Sequence, residues 1–141
     1  MMLAMGEGTP GEFRLETRAL NARTIRKDNA GALPENEHVD PSGPAELYGR
    51  APYVPLKQAL IDVGYPVTLS QDAGGFLCAE AQYTLEQLTR SHPEIQLALF
   101  IHLPPLGSPF ALAGKSVLCD EEHLTHFTHC LLNATIPLLS L

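Results

Sequence analysis

A continuous apolar run near the end of the chain constrains its fold most strongly. Residues 97–103 read Leu-Ala-Leu-Phe-Ile-His-Leu, with one polar side chain, and they stop at Pro104-Pro105. A short apolar run bounded by polar residues and prolines is typical of a buried strand. A strand of this kind requires other elements of the chain to cover both of its faces.

The rest of the chain alternates between strand-like and helix-like patterns. Strands are predicted at residues 1–6, 13–17 and 66–70, and helices at 55–64, 78–92 and 120–134. Two segments are predicted to be loops: a long, mostly irregular excursion at 22–53 and a shorter one at 106–115. This order predicts an α/β protein, a three-layer α/β/α sandwich with a mostly parallel central sheet, as a single domain over residues 1–141.

Composition excludes several classes of partner. The chain has 141 residues and a net charge of −7, which argues against nucleic acid or an anionic membrane surface. No apolar stretch approaches the roughly 18 residues of a membrane helix, and the first residues lack the basic and long apolar regions of a secretory signal. Three widely spaced cysteines do not make a disulfide framework, so we expect a cytoplasmic protein with free thiols.

Two residues carry the chemistry of a nucleophile and a base. Cys78 stands where a glycine-rich turn becomes a helix, a position that favours the thiolate. His102 lies near the carboxyl end of the buried strand, where ligands gather in α/β sheets. Taken alone, each residue is more often a packing residue than a functional one. Their separation, one helix plus one strand, allows both side chains to reach one site.

The segments around these two residues resemble a known family. Residues 70–78 read Ser-Gln-Asp-Ala-Gly-Gly-Phe-Leu-Cys, and residues 100–104 read Phe-Ile-His-Leu-Pro. They resemble the pyroglutamyl peptidase I family, also called pyrrolidone-carboxylate peptidases, whose pattern S-x-(D/S)-A-G-x-(Y/F)-(L/V)-C precedes an F-(I/V/L)-H-(L/V/I)-P strand. Residues 15–21 and 26–31 are similar to the family's (L/P)-E-R-x-A-x-N strand and R-x-P-D-N-x-G loop.

The resemblance implies a cysteine peptidase that removes N-terminal pyroglutamate from peptides. It implies a triad of Cys78, His102 and Glu16, and it implies no cofactor and no metal. Glu16 is chosen over Glu12 for its five-residue distance from the asparagine that ends the strand motif. We further expect substrate to be contacted by three residues: Arg26, Phe76 and Leu77.

The resemblance covers about residues 1–135, but it begins inside the family's pattern. Complete members have an aromatic T-G-F-x-P-F-G-G type loop and further strands before the segment that matches Met1–Gly6. We therefore expect a sheet without its N-terminal strands, through a real truncation or a misassigned start codon. Four local departures from the family pattern, Glu7, Thr17, Lys27 and Ala79, weaken substrate positioning more than they weaken the triad. The alternative is that the chain is an inactive relative of the family, a remnant or an interaction module. An uncovered sheet edge would also favour a homo-oligomer.

The last helix is rich in metal-binding residue types. Two cysteines and three histidines fall in or beside it: Cys119, His123, His126, His129 and Cys130. A structural zinc needs four converging ligands, usually from two elements. The three histidines instead progress around a single helix, which favours a solvated face over a metal site.

Overall fold

The computed structural model describes residues 1–140, and in it strands and helices alternate along the chain. The strands are β1 Met2–Glu7, β2 Phe13–Glu16, β3 Arg18–Leu20, β4 Glu46–Tyr48, β5 Val67–Ser70, β6 Ala98–Leu103, β7 Pro109–Leu112 and β8 Lys115–Leu118. The helices are α1 Tyr53–Asp62, α2 Leu77–Ser91 and α3 Glu121–Thr135, with a 3₁₀ helix at Ile136–Ser140. The predicted helices and the predicted buried strand are confirmed, with small shifts at their ends.

The central sheet has four strands in the order β1-β6-β2-β5. β1 runs parallel to β6, and β2 runs parallel to β5. The two parallel pairs meet where β6 and β2 run antiparallel. The predicted α/β fold is confirmed, and its central sheet is a mixed one.

The alternation of side chains along β6 divides the protein into three layers. Leu99 and Ile101 point to one face of the sheet, where they pack with residues of α1 and α3 such as Leu56 and Phe127. Ala98 and Phe100 point to the other face, where they form a smaller cluster with Leu85 of α2. His102 follows the same alternation and therefore lies on the α2 face.

Two predicted loops contain strands. The segment predicted as a loop at 106–115 contains β7 and the start of β8, which pair as an antiparallel hairpin. The excursion at 22–53 is mostly irregular, as predicted, but it ends in β4, which pairs with β3. All three strands, β4, β7 and β8, are three or four residues long, so none shows enough alternation in sequence to mark it as a strand.

A polar side chain caps the start of α3, and none caps the start of α2. The Asp120 side chain caps α3 by accepting a hydrogen bond from the His123 backbone N–H at 2.8 Å. α2 begins after Phe76, which supplies no side-chain cap. Among the described residues, no helix is both long enough and apolar enough to cross a membrane.

Candidate active site

The first part of the site is a buried pair of ionisable side chains on the α2 face of the sheet. Nδ1 of His102 lies 2.7 Å from Oε1 of Glu16. The two residues are 4 % and 0 % exposed, so water does not compete for this contact. Because an ionised carboxylate only accepts hydrogen bonds, this contact favours a proton on Nδ1 and leaves Nε2 without a contact to Glu16.

Cys78 reaches the same place from α2. A Cβ added to Gly6 would lie 2.9 Å from Sγ of Cys78 and 3.4 Å from Cδ2 of His102, so the thiol and the imidazole flank one point. The same Cβ would lie 3.3 Å from the Phe100 ring. Gly6 therefore leaves the space in which the two side chains approach each other. No hydrogen bond joins these two residues of the described chain, which is common for such pairs without substrate.

The environment of Cys78 opposes ionisation of its thiol. Burial is the main cause that raises its pKa, and the negative charge of Glu16 raises the pKa further. Arg14 acts in the opposite direction. The start of a helix favours the thiolate, but burial, which the sequence did not reveal, acts against that preference and raises the pKa. The thiol is therefore protonated at neutral pH and needs a base to remove its proton.

Arg14 is a member of this cluster that the sequence analysis missed. Its Nε lies 3.5 Å from Oε1 of Glu16. It stands directly opposite His102 in the antiparallel register, whereas Glu16 stands opposite Phe100. The alternation of β2 places Arg14 and Glu16 on one face, so this pattern could have identified it.

The irregular segment before β4 is tied to the start of α2. The Thr24 backbone N–H donates a hydrogen bond of 2.8 Å to the carbonyl oxygen of Gly75. Gly74 and Gly75 both have positive φ angles, 90° and 68°, so the turn before Phe76 depends on residues without a Cβ. The hydrogen bond between Thr24 and Gly75 therefore holds the irregular segment against the start of α2.

A cleft of about 320 Å³ opens between this segment and α2. Arg26, Phe76 and Leu77 all line it, so the structure brings these three expected substrate residues together. The Arg26 guanidinium stacks over the Phe76 ring, 4.9 Å from its centre. An ion pair closes one side: Nε of Arg23 donates to Glu80 at 3.0 Å, and this contact lowers the pKa of the Glu80 carboxyl.

The His-rich end of the chain forms no group of three or more metal-ligating side chains within residues 1–140. Cys119 is buried, and its thiol lies 3.4 Å from the Pro104 carbonyl oxygen. His126 has a protein partner, the Tyr65 hydroxyl at 2.8 Å from its Nδ1. These contacts occupy two of the five residues with the chemistry of metal ligands.

Comparison with known proteins assigns this arrangement to a family. A sequence model of the pyroglutamyl peptidase family matches residues 2–127, which is most of the chain. The chain belongs to the pyroglutamyl peptidase family. The pyrrolidone-carboxylate peptidase of Yersinia pestis (strain Pestoides F) is 31 % identical over 133 residues, covering 86 % of this chain and 61 % of the relative. That of Erwinia tasmaniensis is 34 % identical over 108 residues, covering 75 % and 50 %.

Solved structures of pyroglutamyl peptidases share the fold. The pyroglutamyl peptidase I of Bacillus amyloliquefaciens superposes with a TM-score of 0.78 at 24 % identity, covering 94 % of this chain and 63 % of that one. The pyrrolidone carboxyl peptidase of Thermococcus litoralis gives a TM-score of 0.82 at 22 % identity, covering 98 % and 66 %. The chain thus spans about three fifths of the length of its curated pyrrolidone-carboxylate peptidase relative from Yersinia.

Proposed function

We propose that this chain carries the Cys-His-Glu machinery of a pyroglutamyl peptidase and cleaves the bond that follows an N-terminal pyroglutamate. The observation that supports this proposal best is the convergence of Cys78 and His102 on Gly6, with Glu16 on the far nitrogen of the ring. Membership of the pyroglutamyl peptidase family supplies the substrate class.

His102 is the proposed general base. Because burial raises the pKa of the Cys78 thiol, the thiol loses its proton only as it attacks. Nε2 of His102 accepts this proton while Sγ forms a bond to the carbonyl carbon of the pyroglutamyl residue. Glu16 stabilises the resulting imidazolium through the hydrogen bond to Nδ1.

The same imidazolium completes the reaction. It donates its proton to the amide nitrogen as the carbon–nitrogen bond breaks, and the rest of the peptide leaves as an amine. His102 then removes a proton from water, which attacks the thioester and releases pyroglutamate with a free Cys78 thiol. Each proton that His102 takes is returned, so the protein finishes in its starting state.

The start of α2 supplies donors for the carbonyl oxygen. Phe76 provides no side-chain cap, so N–H groups in the first turn of α2, around Cys78, have no partner within the helix. Negative charge that develops on the substrate oxygen is stabilised by such groups and by the helix dipole.

The cleft at the start of α2, which is lined by Phe76 and Leu77 and not by Cys78 itself, is the proposed binding surface for the substrate. Leu77 is 59 % exposed and, with the Phe76 ring, offers apolar contact. Arg26 is held over that ring and adds a positive charge to the cleft wall. Because Cys78 directly follows Leu77 in the chain, the proposal places part of a peptide bound at Cys78 in this cleft.

Hydrolysis of pyroglutamyl-aminomethylcoumarin by the purified chain tests the proposal. We expect release of the fluorophore that is abolished in Cys78→Ala and retained in Cys130→Ala, a matched removal of a thiol outside the site. Turnover that persists in Cys78→Ala would refute the mechanism. A folded chain without any turnover would favour the inactive relative.

A further inference from the structure

Glu16 uses one carboxylate oxygen for His102 and leaves the other without a partner. Oε1 is 2.7 Å from Nδ1 of His102, whereas Oε2 is buried and accepts no hydrogen bond. Glu16 is fully buried, so bulk solvent does not reach Oε2. A buried carboxylate oxygen without a donor is costly, and the charge of Glu16 is needed in the proposed reaction.

Three further side chains have buried polar atoms without hydrogen-bond partners: Arg14, whose Nε lies 3.5 Å from Oε1 of Glu16, and Gln82 and Tyr53. Both ends of the Gln82 amide, Oε1 and Nε2, lack a hydrogen bond, and so does the Tyr53 hydroxyl. Gln82 is 2 % exposed and Tyr53 is 9 % exposed. Gln82 offers a donor and an acceptor, and Tyr53 offers a donor, which are complementary to the acceptor Oε2 of Glu16.

The spacing of α2 against β6 places Gln82 at the level of Glu16. Gln82 follows Cys78 by one helical turn, a rise of about 6 Å. Phe100 precedes His102 by two strand residues, a rise of about 6.8 Å, and it stands directly opposite Glu16 in the register. The short connection from α2 to β6 makes the two elements antiparallel. The step along α2 from Cys78 to Gln82 therefore runs in the same direction in space as the step back along β6 from His102 to Phe100.

Tyr53 approaches the same region from α1. Its hydroxyl packs so closely on Gly49 that a Cβ there would overlap it, and the Gly49 backbone N–H donates to the Thr17 carbonyl oxygen, next to Glu16. Burial raises the pKa of the Tyr53 hydroxyl most, and the charges of Glu86 and Glu16 raise it further. The charge of Glu86, one turn after Gln82 on α2, and the charge of Glu16 thus both act on Tyr53, whose hydroxyl lies beside Gly49.

We propose that Gln82 and Tyr53 are positioning residues that hold Glu16 from behind. In this chain of hydrogen bonds, Tyr53 donates to Oε1 of Gln82, and Nε2 of Gln82 donates to Oε2 of Glu16, each through one bridging water. The arrangement pairs all four unpartnered atoms of these three residues. The importance of this hydrogen-bond chain for catalysis rests on the proposed function. Its effect on the protonation of His102 is independent of that function.

The ionisable groups around this chain come from four elements. Arg14 belongs to the strand of Glu16, and His102 to β6. Cys78 and the Glu86–Arg90 ion pair, with Nη1 and Oε2 2.9 Å apart, belong to α2. Tyr53 belongs to α1. Removing the donor to Oε2 leaves the Glu16 carboxylate a stronger acceptor for Nδ1 of His102, which favours the imidazolium.

The experiment follows the His102 imidazole by nuclear magnetic resonance as a function of pH. Gln82→Met keeps the volume of the side chain and removes both polar atoms, and Tyr53→Phe removes only the hydroxyl. We expect the titration midpoint of His102 to rise by about half a unit to one unit in each variant. We expect the double variant to match Gln82→Met, because Tyr53 acts through Gln82.

Gln58→Met, which changes an exposed glutamine of α1, is the matched control and should leave the midpoint of His102 unchanged. A midpoint that is unchanged or lower in folded Gln82→Met would overturn the proposal, especially if thermal stability rises, since Gln82 would then be only a poorly matched packing residue. The titration of His102 requires no turnover. If the chain does not hydrolyse pyroglutamyl-aminomethylcoumarin, the proposed function is refuted, but the titration still tests the roles of Gln82 and Tyr53.

Discussion

His102 and Glu16 occupy diagonal positions of an antiparallel strand pair, and their side chains meet at 2.7 Å. Arg14 stands opposite His102, and Phe100 stands opposite Glu16. Backbone hydrogen bonds between β2 and β6 therefore set the distance and direction of the imidazole–carboxylate contact. The proposed base is oriented by the sheet, whereas the proposed nucleophile is delivered by a helix.

Glu16→Gln tests whether this contact orients the imidazole. The amide can present a donor to Nδ1, which would move the ring proton to Nε2 and remove the base. We expect kcat/KM on pyroglutamyl-aminomethylcoumarin to fall about 100-fold or more. Glu12→Gln is the matched control: Glu12 accepts a hydrogen bond from Thr68 at 3.0 Å, and activity should stay within about twofold. Equal activity of the two variants would contradict the role of Glu16.

Gly6→Ala tests the close approach at the end of β1. The new methyl group would lie 2.9 Å from Sγ of Cys78 and 3.3 Å from Phe100. We expect the free energy of unfolding to fall by about 1–3 kcal/mol, and activity to fall more than stability explains. Met5→Ala, on the neighbouring and more exposed position, should change the unfolding free energy by about 0.5 kcal/mol. Chemical denaturation of both variants measures the difference.

The pH dependence of Cys78 alkylation tests the charges around the thiol. Since burial and Glu16 raise its pKa and Arg14 lowers it, the midpoint for reaction with iodoacetamide should lie above the ordinary thiol value of about 8.5. Glu16→Gln should lower this midpoint, and Arg14→Gln should raise it. Cys119 and Cys130, resolved by mass spectrometry in the same samples, are internal references. Shifts of both variants in the same direction would show that these charges do not act on Cys78.

Arg26→Ala tests the cleft beside α2. The variant removes the guanidinium that lies 4.9 Å from the centre of the Phe76 ring. We expect KM to rise about threefold to tenfold with kcat nearly unchanged, because the proposed function places Arg26 against bound peptide and away from the reacting atoms. Arg50→Ala, at an exposed position before α1, should leave both constants unchanged. A fall in kcat alone would instead place Arg26 at the scissile bond.

The sequence predicted those residues of the site that lie in a recognisable local sequence pattern. The glycine-rich turn before Cys78 and the apolar strand around His102 are local signals, and the structure brings both residues to Gly6. The prediction of Glu16 depended on the family resemblance. In sequence, an acidic residue on a solvated strand face cannot be distinguished from one on a buried face. The antiparallel register of β6 against β2 was not predictable either, since strand patterns do not encode direction.

The β7–β8 hairpin shows a second limit and gives a stability prediction. Its turn contains Ala113 and Gly114 with φ of 48° and 79°, a conformation for which Asn-Gly or Asp-Gly is the usual sequence signal. Ala113→Gly removes the unfavourable positive φ of a residue with a Cβ, and we expect about 1 kcal/mol of added stability. Ala111→Gly, inside β7, should lower stability by about 0.5–1 kcal/mol. Thermal unfolding of the two variants checks the opposite signs.

The strand order β1-β6-β2-β5 has a consequence for synthesis on the ribosome. β6 is the last of these four strands to be made, yet it lies between two that precede it by many residues. Until residue 103 has left the exit tunnel, β1 lacks its partner and one edge of β2 stays open to other chains. His102 and Glu16 are 86 residues apart in sequence. Their contact can therefore form only after β6 has inserted between β1 and β2. Nascent chains that stop short of β6 should therefore depend on chaperones.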